Sequence, residues 1–254
     1  MRRLATLLAL FALVPVAGAA GGNPVVEATK RSLKARSATL TLNVTTSVPG
    51  LAKVVMTGRG AQRGSAIKLS VRASGGGTTF TMDAIGRPEQ GGYAMYFRSP
   101  LFAPQLPPGK TWIRIDLAQQ AASLGLDVST LLSSSQSLAP LQKGLVATRH
   151  LGTDTVAGRR ATHYRAVVDL RRAARSLPAV AQQLTAIELR TGVRVGRVTQ
   201  HVWVGADRRI RRLRTVVPTS AQGVRGTATT TVTYLAYDVP VKISAPPAAK
   251  VYMP

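Results

Sequence analysis

Between residues 38 and 98, apolar and polar side chains alternate with a period of two. Leu40, Leu42 and Val44 alternate with Thr39, Thr41, Asn43 and Thr45, and Val54 and Met56 with Lys53, Val55 and Thr57. Ile67, Leu69 and Val71 alternate with Lys68, Ser70 and Arg72. Phe80 and Met82 stand among Thr79, Thr81 and Asp83, and Tyr93, Met95 and Phe97 close the series. This pattern predicts an antiparallel meander with one face buried and one face wet. Pro49-Gly50, Arg63-Gly64, Gly75-Gly76-Gly77 and Gly86-Arg87-Pro88 read as the turns between its strands.

A helix precedes the meander, with Asn23 as N-cap, Pro24 at its first position and Glu27 in its first turn. Val26, Leu33 and the Lys30 stem are expected along its inner side, and its end near Ser37. After a proline-rich loop over 99–110, Trp112–Asp116 reads as a short strand. The stretches 117–125, 128–135 and 140–146 then read as a helical insertion. Strands resume at 148–156 and 160–169. A helix over 171–190 carries a Val180, Leu184, Ile187 stripe at i, i+4, i+7. Strands at 195–204, 210–217 and 227–237 and a proline-rich tail follow. Alternation fails in 208–214, where Ile210 and Leu213 fall on opposite faces. The order of elements predicts an α+β fold with one mature domain, residues 20–254.

Residues 1–19 read as a signal peptide. Arg2 and Arg3 form a positive n-region, Leu4 to Val16 an apolar h-region, and Ala17–Ala19 an A-x-A site. The apolar run is too short to favour a membrane-spanning helix. An exported protein is expected. The net charge of +24 favours acidic partners, and a solvated basic surface accounts for it equally well. Export argues against nucleic acid.

Catalytic chemistry is missing from the motifs. The chain has no cysteine, which excludes disulfides, thiolate metal sites and thiol nucleophiles. His150, His163 and His201 are widely spaced and read as strand residues rather than metal ligands. No G-x-S-x-G elbow occurs, and the ten acidic residues include no close carboxylate pair. Gly58-Arg59-Gly60 through Gly64 has the wrong spacing for a phosphate loop, and turn chemistry is the better account. No enzyme activity, metal or cofactor is expected.

The order of features resembles a known family. Trp112-Ile-Arg-Ile-Asp116 precedes the helical insertion, and Gly152–Gly158 precedes Ala161-Thr-His-Tyr164 and Val167-Val-Asp169. Val202–Asp207 precedes a basic strand, and Tyr237-Asp238-Val-Pro-Val-Lys-Ile243 and Ala245-Pro-Pro247 come near the end. This resembles the LppX/LprG family of actinobacterial envelope lipoproteins, within the LolA/LolB-like lipoprotein-carrier superfamily. Ala19 stands where those lipoproteins carry an acylated cysteine. The expected location is therefore the periplasm, the cell envelope or outside the cell, with no lipid anchor at that position. The resemblance implies a curved antiparallel sheet, a half-barrel, with helices over its concave face and an apolar cavity for acyl chains between them. The candidate lining is Leu40, Leu42, Val54, Met56, Ile67, Leu69, Val71, Phe80, Met82, Tyr93, Met95 and Phe97 from the sheet, with Leu184 and Ile187 from the later helix. Methionine is flexible and suits variable apolar ligands. Ordinary core packing explains each of these residues individually.

Two functions follow. One is a carrier of a lipid, glycolipid or lipoprotein, whose partners would include an anionic membrane surface and an envelope transport protein. Arg59, Arg72, Arg208, Arg209, Arg211 and Arg212 are candidates to meet acidic headgroups. The other is an envelope sensor or protein-interaction module on the same fold without lipid cargo, which predicts a solid interior.

Overall fold

Asn23 opens helix α1 (Pro24–Leu33) by accepting the Val25 N–H on its side-chain oxygen at 3.0 Å. The computed structural model describes residues 22–50, 53–89, 92–116, 135–177, 181, 184–185, 196–221 and 224–253. The buried side of α1 is Val25, Ala28, Thr29 and Ser32, not the side that holds Val26. Two of these four are hydroxyl residues. They can be buried because Thr29 Oγ1 donates to the Val25 carbonyl and Ser32 Oγ to the Ala28 carbonyl.

The strands are β1 (Ser37–Ser47), β2 (Val54–Arg63), β3 (Ala66–Gly75), β4 (Thr78–Glu89), β5 (Gly92–Arg98), β6 (Trp112–Asp116), β7 (Leu145–Val156), β8 (Arg159–Asp169), β9 (Arg197–Gly205), β10 (Ile210–Ala221), β11 (Val224–Tyr237) and β12 (Val251–Tyr252). They form one unclosed, curved 12-stranded sheet in the order β12-β6-β5-β4-β3-β2-β1-β11-β10-β9-β8-β7. Neighbours pair antiparallel, except that β12 runs parallel to β6. Two meanders, β1–β6 and β7–β11, are thus joined by the β1–β11 pair.

Helices α1, α2 (Ser135–Gly144) and α3 (Leu170–Ala174) pack on the second meander. Val25 and Ala28 of α1 and Leu138 and Leu141 of α2 share a core with Leu40, Ala166, Val168, Val202, Ile210, Leu213 and Tyr234. The third expected helical piece therefore starts earlier, at Ser135, and Leu145 already belongs to β7. The first expected piece, 117–125, lies outside the described residues. So does the second, 128–135, except for Ser135, which opens α2.

Three further expectations change. The ladder between β9 and β10 shifts between Ile210 and Arg212, so Arg211 is a bulge residue. Ile210 and Leu213 consequently share the buried face, which explains the broken alternation. Gly86-Arg87-Pro88 is not a turn but lies inside β4, and Gly58 and Gly60 lie inside β2. The terminal segment is not a plain tail. Ile243, Ala245 and Val251 cover Ile85, Ala94, Tyr96 and Trp112 on the polar side of β4–β6 and make a second core.

Candidate functional site

Strand register assembles the predicted lining into cross-strand rows on one face of the sheet. Val44 stands opposite Met56, Met56 opposite Ala73, and Ala73 opposite Phe80. Leu42, Gly58, Val71 and Met82 form the next row, then Leu40, Gly60, Leu69, Ala84 and Phe97. Ile67, Gly86 and Met95 form the next, and Tyr93 lies beyond them opposite Pro88.

Within these rows burial is graded. Leu40, Val71, Tyr93 and Met95 are buried, while Leu42, Met56, Ile67, Leu69, Phe80, Met82 and Phe97 are only half-buried. Val54, at the rim, is 44% exposed. Leu40 belongs to the core beneath α1 and α2. Ala84, Tyr93 and Met95 form a separate cluster with Leu69, Phe97 and Ile115, and no described helix contributes to it. Leu184 packs elsewhere, against Ala173 with Leu170, Ala174 and Leu177. Val180 and Ile187 lie outside the described residues.

Glycines shape the wall. A Cβ at Gly60 would fall 2.8 Å from the Lys68 carbonyl oxygen and against Leu69 Cδ2. One at Gly86 would meet the Met95 sulfur and the Tyr93 hydroxyl. Each glycine lets a large neighbour lean over its strand. Tyr93 lies over Gly86 and donates to the Ser65 carbonyl at 2.8 Å, and burial pushes its pKa up to about 12. Ile113 and Ile115 also face this side, opposite Phe97 and Met95. They are missing from the predicted lining, although the alternation of Trp112, Arg114 and Asp116 with the two isoleucines signals them.

Under α1 and α2, the pocket bounded by Ser32, Leu33, Ala38, Leu138, Tyr234 and Tyr237 holds only about 20 Å³. Among the described residues, this pocket leaves little free space beneath the two helices. Two larger depressions carry charged side chains among apolar ones. One of about 810 Å³ lies at the start of β1, among Lys34, Arg36, Arg63, Asp238 and Lys242. The other, of about 530 Å³, lies on the polar face among Thr41, Asn43, Thr57, Arg59, Ser70 and Arg72.

The six candidate headgroup arginines do not act together. Arg59 and Arg72 are exposed on the polar face. Arg208 is exposed at the β9–β10 turn with φ 56°. Arg209 pairs with Asp238 at 2.6 Å, and the buried Arg211 pairs with Asp207 at 2.7 Å. Both also approach the Tyr237 ring, so they are structural. Arg212 lies over the Trp203 ring.

The histidines are strand residues, but two of them meet across strands. His163 Nε2 lies 2.9 Å from His201 Nδ1, and His163 Nδ1 lies 3.2 Å from Asp154 Oδ2. Trp203 Nε1 donates to the same Asp154 oxygen at 2.7 Å, and His163 stacks on Trp203 at 4.2 Å. Burial lowers both histidine pKa values. Asp154 opposes the shift at His163, while His163, Arg214 and Arg165 deepen it at His201. Among the described residues, no group of three or more histidines and carboxylates could hold a metal ion, and no helix is long and apolar enough to cross a membrane.

No family model and no curated protein matches this chain. Among solved structures, it is similar to LprF from Mycobacterium bovis at 12% identity and TM-score 0.49, over 88% of this chain and 95% of that one. It is also similar to the lipoprotein LppX of Mycobacterium tuberculosis at 12% identity and TM-score 0.45, over 87% of this chain and 100% of that one. A LolA superfamily protein from Nitrosomonas europaea matches at 8% identity and TM-score 0.28, over 86% of this chain and 93% of that one.

Proposed function

We propose that the protein is an exported, non-enzymatic carrier, a single domain over residues 20–254 released from a signal peptide, residues 1–19. It would hold the acyl chains of a lipid, glycolipid or lipoprotein for transfer in the bacterial cell envelope. One observation carries this reading. The apolar rows of β1–β5 are only half-buried at Leu42, Met56, Ile67, Phe80, Met82 and Phe97, although they form one continuous face. Their incompletely covered hydrophobic surface suits an apolar ligand, and each methylene buried against it would contribute about 0.8 kcal/mol. The small pocket under α1 and α2 favours the first meander as the place for the chains.

The test is native mass spectrometry of the purified mature protein, followed by organic extraction. The expected result is a co-purifying lipid that is lost from Phe80→Asp and Met82→Asp variants whose melting temperatures stay within a few degrees of wild type. Wild-type protein that yields no lipid and takes up no fluorescent fatty acid overturns the reading and favours the interaction module.

A further inference from the structure

The opposite, polar face carries an ordered array of cations. Across β7, β8, β9, β10, β11, β1, β2, β3 and β4 the register aligns Arg149, Arg165, His201, Arg214, Thr231, Asn43, Thr57, Arg72 and Thr81 in one row. The adjacent row runs His163, Trp203, Arg212, Thr233, Thr41, Arg59, Ser70, Asp83 and Arg98. At the usual inter-strand spacing the first row is about 38 Å long. Arg59, Arg72, Arg149, Arg165 and Arg214 are exposed, and none pairs with a carboxylate among the described residues. Asp83, the one carboxylate within the two rows, is already paired with Arg98. Like charges directly opposite one another, as Arg149 and Arg165 are, destabilise a sheet unless something else occupies the space between their heads.

Unpaired exposed cations thin out beyond these two rows. The next row on one side is Val216, Thr229, Thr45 and Val55, and on the other Thr39, Ala61, Lys68, Ile85, Tyr96 and Arg114, where Lys68 is exposed and Arg114 is paired with Glu89 and Asp116. A bilayer would reward cations spread over the whole face, whereas a stripe matches a chain. Single-stranded nucleic acid is bound on exposed aromatic platforms. The one aromatic ring other than histidine in these rows, Trp203, is 7% exposed, stacked on His163 and covered by Arg212. Between the arginines stand threonine, serine and asparagine side chains, which exchange hydrogen bonds with hydroxyl groups. The depression of about 530 Å³ lies in mid-stripe, between Arg59 and Arg72.

We infer that this stripe is a binding track for a linear acidic polysaccharide laid perpendicular to the strands, its carboxylates on the arginine forks and its hydroxyls on the Thr/Ser/Asn positions. Guanidinium groups suit this role because their planar fork meets a carboxylate in two parallel hydrogen bonds. The track lies on the face opposite the apolar rows, so it is independent of lipid carriage.

Fluorescence anisotropy with an end-labelled oligogalacturonate tests this. Wild type is expected to bind in a salt-dependent manner, and Arg165→Thr/Arg214→Thr and Arg59→Thr/Arg72→Thr each to weaken binding at least tenfold. Arg31→Gln/Arg175→Gln removes the same charge away from the stripe and is expected to stay within twofold of wild type. Thermal melts confirm that each variant is folded. The His201 ring, read by NMR, is expected to titrate at higher pH with the oligosaccharide bound, because a carboxylate near Arg165 and Arg214 favours its cation. Absence of binding, an equal loss in the off-stripe control, or tighter stripe-dependent binding of oligo-dT or of phosphatidylglycerol vesicles overturns the assignment.

Discussion

Ser32 Oγ accepts a hydrogen bond from the Ile210 backbone N–H at 2.9 Å, across 178 residues of chain. It ties the last turn of α1 to the residue beside the Arg211 bulge, where the ladder to β9 is interrupted. Ile210 is fully buried, so its N–H has no access to water. Ser32→Ala removes the acceptor and leaves that donor unsatisfied, at an expected cost of about 1–3 kcal/mol. A urea denaturation midpoint measures it, and an unchanged midpoint would show that the bulge relaxes without α1.

Gly60→Val should be a second costly change. Its Cβ would lie 2.8 Å from the Lys68 carbonyl oxygen, which is backbone and cannot swing away. Overpacking of this kind costs about 1–3 kcal/mol. Gly64→Asn, at a turn glycine with φ 57° and open space around it, is the mild comparison. Thermal melts of the two variants should rank them in that order.

His163 and His201 make stability depend on pH. Burial holds both below the ordinary value of 6.5, so the unfolded chain takes up protons at higher pH than the folded one. Their contribution is fully present above 6.5 and is lost as pH falls through 6.5 towards their folded values. Denaturation midpoints are expected to fall between pH 7.5 and 5, and the fall should be shallower in His163→Gln/His201→Gln.

Val251→Asp tests the second core. Val251 packs on Trp112, Ile85 and Tyr96 and is 8% exposed. A carboxylate there is expected to detach β12 from β6 at a cost of about 1–3 kcal/mol. In a Trp203→Phe background, Trp112 emission should shift to the red. Unshifted emission would mean that the tail holds without Val251.

Local pattern carried much of this fold. Period-two alternation placed the strands of the first meander, and Asn23-Pro24 marked the start of α1. The inner side of α1 was hidden because Thr29 and Ser32 look polar until their hydroxyls find the carbonyls one turn back. Gly58, Gly60 and Gly86 read as turn residues, whereas their use is close side-chain approach, which depends on partners in the next strand. Tyr93 to Phe97 is an unbroken apolar run, and this was the available sign that β5 is covered on both faces. The arginine rows and the meeting of His163 with His201 are properties of register. They run across the strands, so no stretch of sequence contains them.

The β1–β11 pair has a kinetic consequence. Arg36 and Asp238, joined at its end through the Arg36 N–H, are 202 residues apart, whereas within β1–β6 and β7–β11 each strand pairs with the next in sequence, the longest connection being 170–196 between β8 and β9. Each meander can form by pairing strands that are neighbours in sequence, but the seam between them requires closure of nearly the whole polypeptide. Pulse-labelled hydrogen exchange during refolding is expected to protect Leu69 and Val202 amides before those of Asn43 and Thr231, which face each other across the seam. A chain with this topology that emerges N-terminus first would have its first meander formed and the β1 edge waiting for its last long strand.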